Sequence, residues 1–481
     1  MLTGRWPEHR VAPSLGRIKA LVELLGDPQQ AYPVIHVSGT NGKGSTVAMI
    51  ESLLRATGLR TGRFTSPHVM SVTERITIDG ASISDERFDA TWNELEPYVQ
   101  MVDERQIDGV ALTFFEIITA MAYAAFADAP VDVAVIEVGL GGSWDATNVA
   151  DADVAVVTPI DLDHTHLLGE TVAAIAAEKA GIIKPGAQAI LAGQSIEAAE
   201  VLLARCADVG ALPHREGIDF GVLDRSVAVG GQLIRLNGAE GPIDDIFLPM
   251  HGAHQAANAA QALAAVEAFL GLKALNPDVV RDGFAQVSFP GRLEVVRRSP
   301  AVVLDAAHNP HGARATAAAI TEAFGFSPLI GVVAIMADKD AEGVLRVFEE
   351  IMSEVIITAV SSTSRGMPAE ALAELAAGIF GAERVSVAPR LDDALELAID
   401  RAEGDGVGSP GVLVAGSVVA VGEARTLLVH TTAAPATATD RRDDDANDDW
   451  DSSYGDEYRD VDDNGASSQG WVTPSDKDDW G

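Results

Sequence analysis

The sequence predicts an α/β protein: a large, mostly parallel sheet domain, a smaller α/β domain behind it, and a disordered acidic tail. Three observations carry this. Short apolar runs alternate with longer Ala-rich helical patterns from Val34 onward, the alternation starts afresh near residue 291, and aliphatic residues almost vanish after Thr431. Strands buried on both faces read as continuous apolar runs, which is the signature of a parallel sheet covered by helices.

Taken in order, the first series of strands is expected at VIHVSG (34–39), VDVAVIEVG (131–139), DVAVVTPI (153–160) and QAILAG (188–193), with helix-like segments between the first three. The second series is AVVLDAAH, LIGVVAIM, EVIITAV and GVLVAGS, separated by helical stretches such as ARATAAAITEAF and PAEALAELAAGIF. The turn dipeptide Pro290-Gly291 falls between the two series, so domains are expected over 1–290 and 291–430, with the tail over 431–481. The tail is dominated by Asp and cannot bury enough surface to offset its ordering entropy. Its interleaved Trp450, Tyr454, Tyr458, Trp471 and Trp480 leave room for a partner-docking role beside plain solubilisation.

Composition excludes several classes of function. The formal net charge is −37, from 71 acidic against 34 basic residues, which argues against a nucleic-acid backbone or an anionic membrane as partner. The single cysteine, Cys206, rules out an intramolecular disulfide and a zinc site built from several Cys. The opening MLTGRWPEHR lacks the apolar core of a signal peptide, and no run has the 18 or so apolar residues of a membrane helix, so a cytoplasmic protein is expected.

Phosphate must then be held by a local device, and one is present. Gly39-Thr40-Asn41-Gly42-Lys43-Gly44-Ser45-Thr46 follows an expected strand and opens the helix VAMIESLLRATG. Glycines let backbone N–H groups close on phosphate oxygens, the helix N-terminus adds its dipole, Lys43 neutralises β/γ-phosphate charge, and a hydroxyl after it can reach Mg²⁺. The spelling departs from the general G-x-x-x-x-G-K-[ST] form, since Gly44 separates Lys43 from Ser45. Further on, Glu137 and His164 each follow the end of an apolar strand, where ligands of parallel sheets gather. A buried carboxylate there calls for a cation, and a carboxylate, an imidazole and a hydroxyl can share a magnesium that also takes phosphate oxygens.

The octet GTNGKGST resembles that of the bacterial folylpolyglutamate synthases and dihydrofolate synthases of the Mur ligase superfamily. It does so together with TSPH (65–68), LTFFE (112–116), EVGLGG (137–142), DATN (145–148) and EKAGIIKP (178–185). The resemblance spans about residues 5–430. It implies a P-loop-type domain followed by a Rossmann-like one, and an enzyme that uses ATP to make an acyl phosphate of dihydropteroate or a reduced folate, which the amine of L-glutamate then attacks. A monomer is expected.

By the same resemblance, Ser66, Glu137 and His164 ligate magnesium, and Lys179 carries a carbamate beside a second magnesium. On residues alone, Glu178-Lys179 reads as a solvated charge pair; the modification requires a neutral amine and so a lowered pKa. Asn41, Gly42, Lys43, Gly44, Ser45 and Thr46 are expected to bind the nucleotide with Asn258, Arg292 and Asp305. Thr113, Phe114, Phe115, Glu116, Trp144, Asp145 and Ala146 are expected to bind the folate, and His308 and Ser417 the incoming glutamate. Lys43, Lys179 and His308 are the catalytic candidates.

Two departures stand out. Ser143 occupies a position where the family usually has arginine, and Ala306 replaces a glycine before Ala-His-Asn-Pro, implying that no positive φ is needed there. Two other readings compete: a muropeptide ligase, disfavoured by Gly44, by LTFFE and by the lack of an evident extra N-terminal domain, and a non-catalytic nucleotide-binding protein whose tail docks partners.

Overall fold

The computed structural model describes residues 12–404 and 408–431. The N-terminal decapeptide and the Asp-rich tail, with the expectations attached to them, lie outside the described residues.

Eight strands form the first sheet: β1 (Val34–Ser38), β2 (Thr61–Phe64), β3 (Ile76–Ile78), β4 (Ala81–Ser82), β5 (Val133–Glu137), β6 (Val154–Val157), β7 (Gln188–Leu191) and β8 (Leu212–Arg215). Their order is β4-β3-β2-β5-β1-β6-β7-β8, parallel from β2 to β8, with β3 and β4 added antiparallel at one edge. All five residues of β1 are buried. Alternate side chains feed two cores. Ile35, Val37, Val133, Val135 and Val154 meet the helices Lys43–Ala56 and Ala253–Phe269, while Val34, Ala134 and Ile136 meet Phe114–Asp128 and its neighbours. Because β5 lies on one side of β1 and β6 on the other, the C-terminal end of β1 is a switch point in strand order, where a parallel sheet leaves a crevice.

A three-stranded antiparallel sheet follows: β9 (Gly221–Ala228), β10 (Gly231–Gly238) and β11 (Gly241–Leu248), in the order β11-β10-β9. The sequence reading did not foresee it. Its strands set a buried row, including Ile234, Leu236 and Ile246, against an outward row that carries Asp224 and Arg235, so no continuous apolar run marks them.

The last sheet holds β12 (Glu294–Arg298), β13 (Ala301–Leu304), β14 (Leu329–Val333), β15 (Glu354–Ile357), β16 (Val385–Val387) and β17 (Gly411–Ala415). The order is β12-β13-β17-β14-β15-β16, with only β12 antiparallel. It has its own cores on two faces. The strand order again reverses around β17, so the segments after β13, β14 and β17 share one edge. Ala306, after β13, is not among the positive-φ residues, as its side chain requires.

Candidate active site

The octet 39–46 leaves β1 and enters the helix Lys43–Ala56, whose N-cap is Gly42 at φ 91° with no side-chain cap. The N–H groups of the first turn are thus left for a ligand. A Cβ on Gly42 would lie 2.7 Å from Asn258 Oδ1, so only glycine permits this approach to the buried Asn258. Lys43 Nζ donates to the carbonyls of Gly39 and Thr40, each at 3.2 Å. Burial pulls its ammonium below the ordinary value while Glu137 and Asp163 hold it up. Ser45 and Thr46 are buried, and Thr46 Oγ1 has no partner among the described residues.

Glu137 closes β5, 4% exposed, and its Oε2 accepts the Ser66 N–H at 3.1 Å. Burial pushes its carboxyl up, and Lys43 is the largest opposing influence. His164 sits at φ 49°, a left-handed conformation rare outside glycine and held only where the surroundings impose it. Its Nε2 accepts from Lys339 Nζ at 3.0 Å, and burial followed by Lys339 lowers its pKa to about 4. Asp163 takes Lys339 Nζ at 2.8 Å and Asn309 Nδ2 at 3.1 Å. Burial pushes the Asp163 carboxyl up, but Lys339 and the two nearby histidines leave it below the carboxylate range.

Lys179 is not a solvated charge. It is 4% exposed, its Nζ donates to the Gly39 carbonyl at 2.7 Å, and burial, then Lys43, lower its pKa to about 7. Glu178 instead serves the loop before it, accepting from Ser143 Oγ at 2.6 Å and from the Trp144 N–H at 3.4 Å. Ser143 therefore has a local partner of its own.

The second α/β sheet closes over this edge. Asn41 Nδ2 meets His311 Nδ1 at 2.8 Å, and Asn309 Nδ2 donates to Asn41 Oδ1 at 3.1 Å. Asp305, 5% exposed, accepts from the N–H groups of Leu293 and Ala307 and from Thr316 Oγ1. Arg292 lies over the Phe289 ring, 5.4 Å from its centroid. His308 Nδ1 bonds the Ala306 carbonyl at 2.9 Å, which fixes the proton on Nδ1. Burial, then Lys339, keep this imidazole neutral, with a pKa of about 4.

Two clefts result. The first, about 270 Å³, is lined by the octet up to Ser45, by Glu137, Lys179 and Asn258, and by Arg292, Asp305 and His308. The second, about 360 Å³, is lined by Thr113, Phe115, Glu116, Trp144, Asp145 and Ala146, with Asp338 and Arg365 from the last domain. They share Ser66, Pro67, Gly139, Leu140 and His164. Gly139 is needed for this wall, since a Cβ there would fall 2.3 Å from the Phe115 ring. Thr113 and Glu116 also form a reciprocal capping box for the helix Phe114–Asp128, and Glu116 pairs with buried Arg17 at 3.1 Å.

Of the expected site residues, Thr46, Phe114 and Ser417 line neither cleft. Thr46 is beneath the loop, Phe114 packs under the Arg75 guanidinium, and Ser417 Oγ accepts the Val419 N–H at 3.1 Å while its neighbour Val418 reaches the first cleft. Residues without an expected role are also drawn in: Asp163, Asn309, His311, Lys339 and Arg365. The charged run Asp338-Lys339-Asp340 at the end of the apolar run 329–337 is the signal that points to Lys339. Among the described residues no three His, Cys, Asp or Glu come together as a metal-binding group, and no helix is long and apolar enough to cross a membrane.

Two family descriptions match: the Mur ligase middle domain over residues 37–266 and the Mur ligase glutamate ligase domain over 291–418. A dihydrofolate synthase/folylpolyglutamate synthase of Mycobacterium tuberculosis is 48% identical over 451 residues, covering 89% of this chain and 92% of the relative. A crystal structure of Mycobacterium tuberculosis folylpolyglutamate synthase complexed with ADP and AMPPCP superposes with a TM-score of 0.85 at 48% identity, covering 89% of this chain and 96% of that one. An FPGS–AMPPCP–folate complex superposes at 0.76 with 32% identity, covering 89% and 98%.

Proposed function

The chain belongs to the dihydrofolate synthase/folylpolyglutamate synthase family of Mur ligases, ATP-dependent enzymes that form amide bonds, and we propose that it joins L-glutamate to dihydropteroate or a reduced folate. The observation that carries the reading is the shared wall: a nucleotide in the first cleft and a pterin-linked acid in the second would meet at Ser66 and His164. The two domains divide at Pro290-Gly291, the first holding ATP and the folate, the second the incoming glutamate.

The carboxylate oxygen attacks the γ-phosphorus of ATP, ADP leaves, and the acyl phosphate lies at the shared wall. Loop N–H groups and Lys43 stabilise the charge on the transferring group. The glutamate amine then attacks the acyl carbon, an amide forms and inorganic phosphate departs. His308, neutral and with its proton fixed on Nδ1, offers Nε2 as an acceptor to that amine. Asn41, Asn258, Arg292 and Asp305 hold the nucleotide between the domains, and Trp144 and Phe115 hold the pterin.

The donor set fits magnesium. Such an ion is held by one or two carboxylates plus substrate phosphates, not by an all-protein cage, and Glu137 is a buried carboxylate beside Ser66. Ser66, Glu137 and His164 would hold it, His164 giving up its contact with Lys339. When bound, it would neutralise phosphate charge. Lys179 carries a carbamate in this reading: its neutral amine attacks CO₂ and loses a proton, turning a buried cation into an anionic oxygen ligand. ADP release tests the whole scheme. Release beyond one equivalent per enzyme is expected only with glutamate and with dihydropteroate or tetrahydrofolate present. Multiple-turnover release independent of the pterin or of glutamate would overturn it.

A further inference from the structure

Among the described residues, one lysine or arginine lines the second cleft, Arg365. It comes from the last domain, on the segment after β15, and its backbone is firmly placed. The Ala337 N–H donates to the Arg365 carbonyl at 3.0 Å, the Met367 N–H donates to Ile335 O at 2.8 Å, and Met336 bridges Gly366. Its guanidinium bonds Asp338 Oδ1 through Nη2 at 3.0 Å. A guanidinium has five N–H donors, so further donors remain for a ligand. The side chain is 39% exposed, and the surrounding wall is largely apolar, with Phe115, Leu140 and Leu167.

Phosphoryl transfer requires the reacting carboxylate to lie at the wall shared with the nucleotide cleft. A pterin-linked acid that already carries glutamate brings a second carboxylate, on the α-carbon, a few bonds from the reacting one. Dihydropteroate has none. The remaining acids of the cleft, Glu116, Asp145 and Asp338, would repel that group, and Ser143 supplies no charge. Resting on the reading of the second cleft given above, we propose that Arg365 binds the α-carboxylate of the terminal glutamate of the acyl substrate and thereby favours glutamylated over unglutamylated pterins.

The test is calorimetric binding to the full chain, with a non-hydrolysable ATP analogue and Mg²⁺, of pteroate and of pteroylglutamate. Wild type is expected to prefer pteroylglutamate about tenfold, as a charge-assisted pair in a half-exposed site contributes. Arg365→Ala should erase that preference by weakening pteroylglutamate alone, and Arg365→Lys should keep part of it. A thermal melt of each variant shows that it is folded. Equal weakening of both ligands, no change in either, or a raised KM for free glutamate with folate affinity intact overturns the role of Arg365. If wild type binds neither compound, the assignment of the second cleft to folates falls first, and the inference with it.

Discussion

The first cleft is built around one contiguous stretch, residues 39–45 wrapped on a helix N-terminus, whereas the second gathers its wall from scattered positions as distant as Ala12 and Arg365. The chemistry explains the difference. Phosphate is held largely by backbone N–H groups, which a short Gly-rich segment can supply alone. A pterin-linked acid has faces, edges and carboxylates, and each needs a different side chain set at a different depth. Substitutions in the first cleft should therefore damage the transfer of phosphate, and those in the second the choice and affinity of the acid.

Lys43→Ala should break the first cleft most severely. Nζ holds only loop carbonyls besides facing Glu137, so in the proposed scheme its charge is left for phosphate. Turnover is expected to fall by about 10³-fold, with the melting temperature near that of wild type. Turnover close to wild type would remove Lys43 from the mechanism.

Lys179→Arg comes next, with an expected loss of about 100-fold. Arginine does not give up its proton in proteins, so it cannot form a carbamate and leaves a fixed cation near Lys43. The wild-type amine, at about 7, is neutral on the alkaline side of that value. With ¹³C-labelled CO₂, a carbamate resonance should therefore grow as pH rises from about 6 to about 8 and be absent from the variant. A variant as active as wild type, or an unmodified lysine by mass spectrometry in active enzyme, would return Lys179 to a purely structural role.

The same contrast governs what could be read from the sequence. The strands β1, β5, β6, β7, β13, β14, β15 and β17 announce themselves as apolar runs because helices cover both faces. β2 hides because it is four residues long and contains Arg63, which the buried Glu51 neutralises at 3.6 Å. The octet is legible because its residues are contiguous between a strand and a helix. The pairs Asp163–Lys339 and Asn41–Asn309 are separated by 176 and 268 positions, and only the approach of the two sheet edges creates them. Lys179 shows the limit in another way: beside Glu178 it spells a surface pair, yet burial under the loop gives it the opposite character.

Trp144→Ala sharpens the comparison with the smallest effect. The indole lines the second cleft, is half-buried, and packs its inner side against the core that includes Val138 and Ile175. Its backbone N–H is held by Glu178, an anchor that survives truncation of the ring, so the loop should keep its place. An aromatic contact contributes about 0.5–1.5 kcal/mol beyond the area it buries. Together with the lost apolar contact, the KM for the pterin-linked acid should rise about tenfold. The KM for ATP should stay put, because Trp144 is absent from the first cleft. Steady-state kinetics with each substrate varied in turn decides the matter. If both constants rose by the same factor, the loop would be acting on the shared wall as a whole, and the separation of the two clefts would fail; an unchanged folate constant would place the pterin elsewhere.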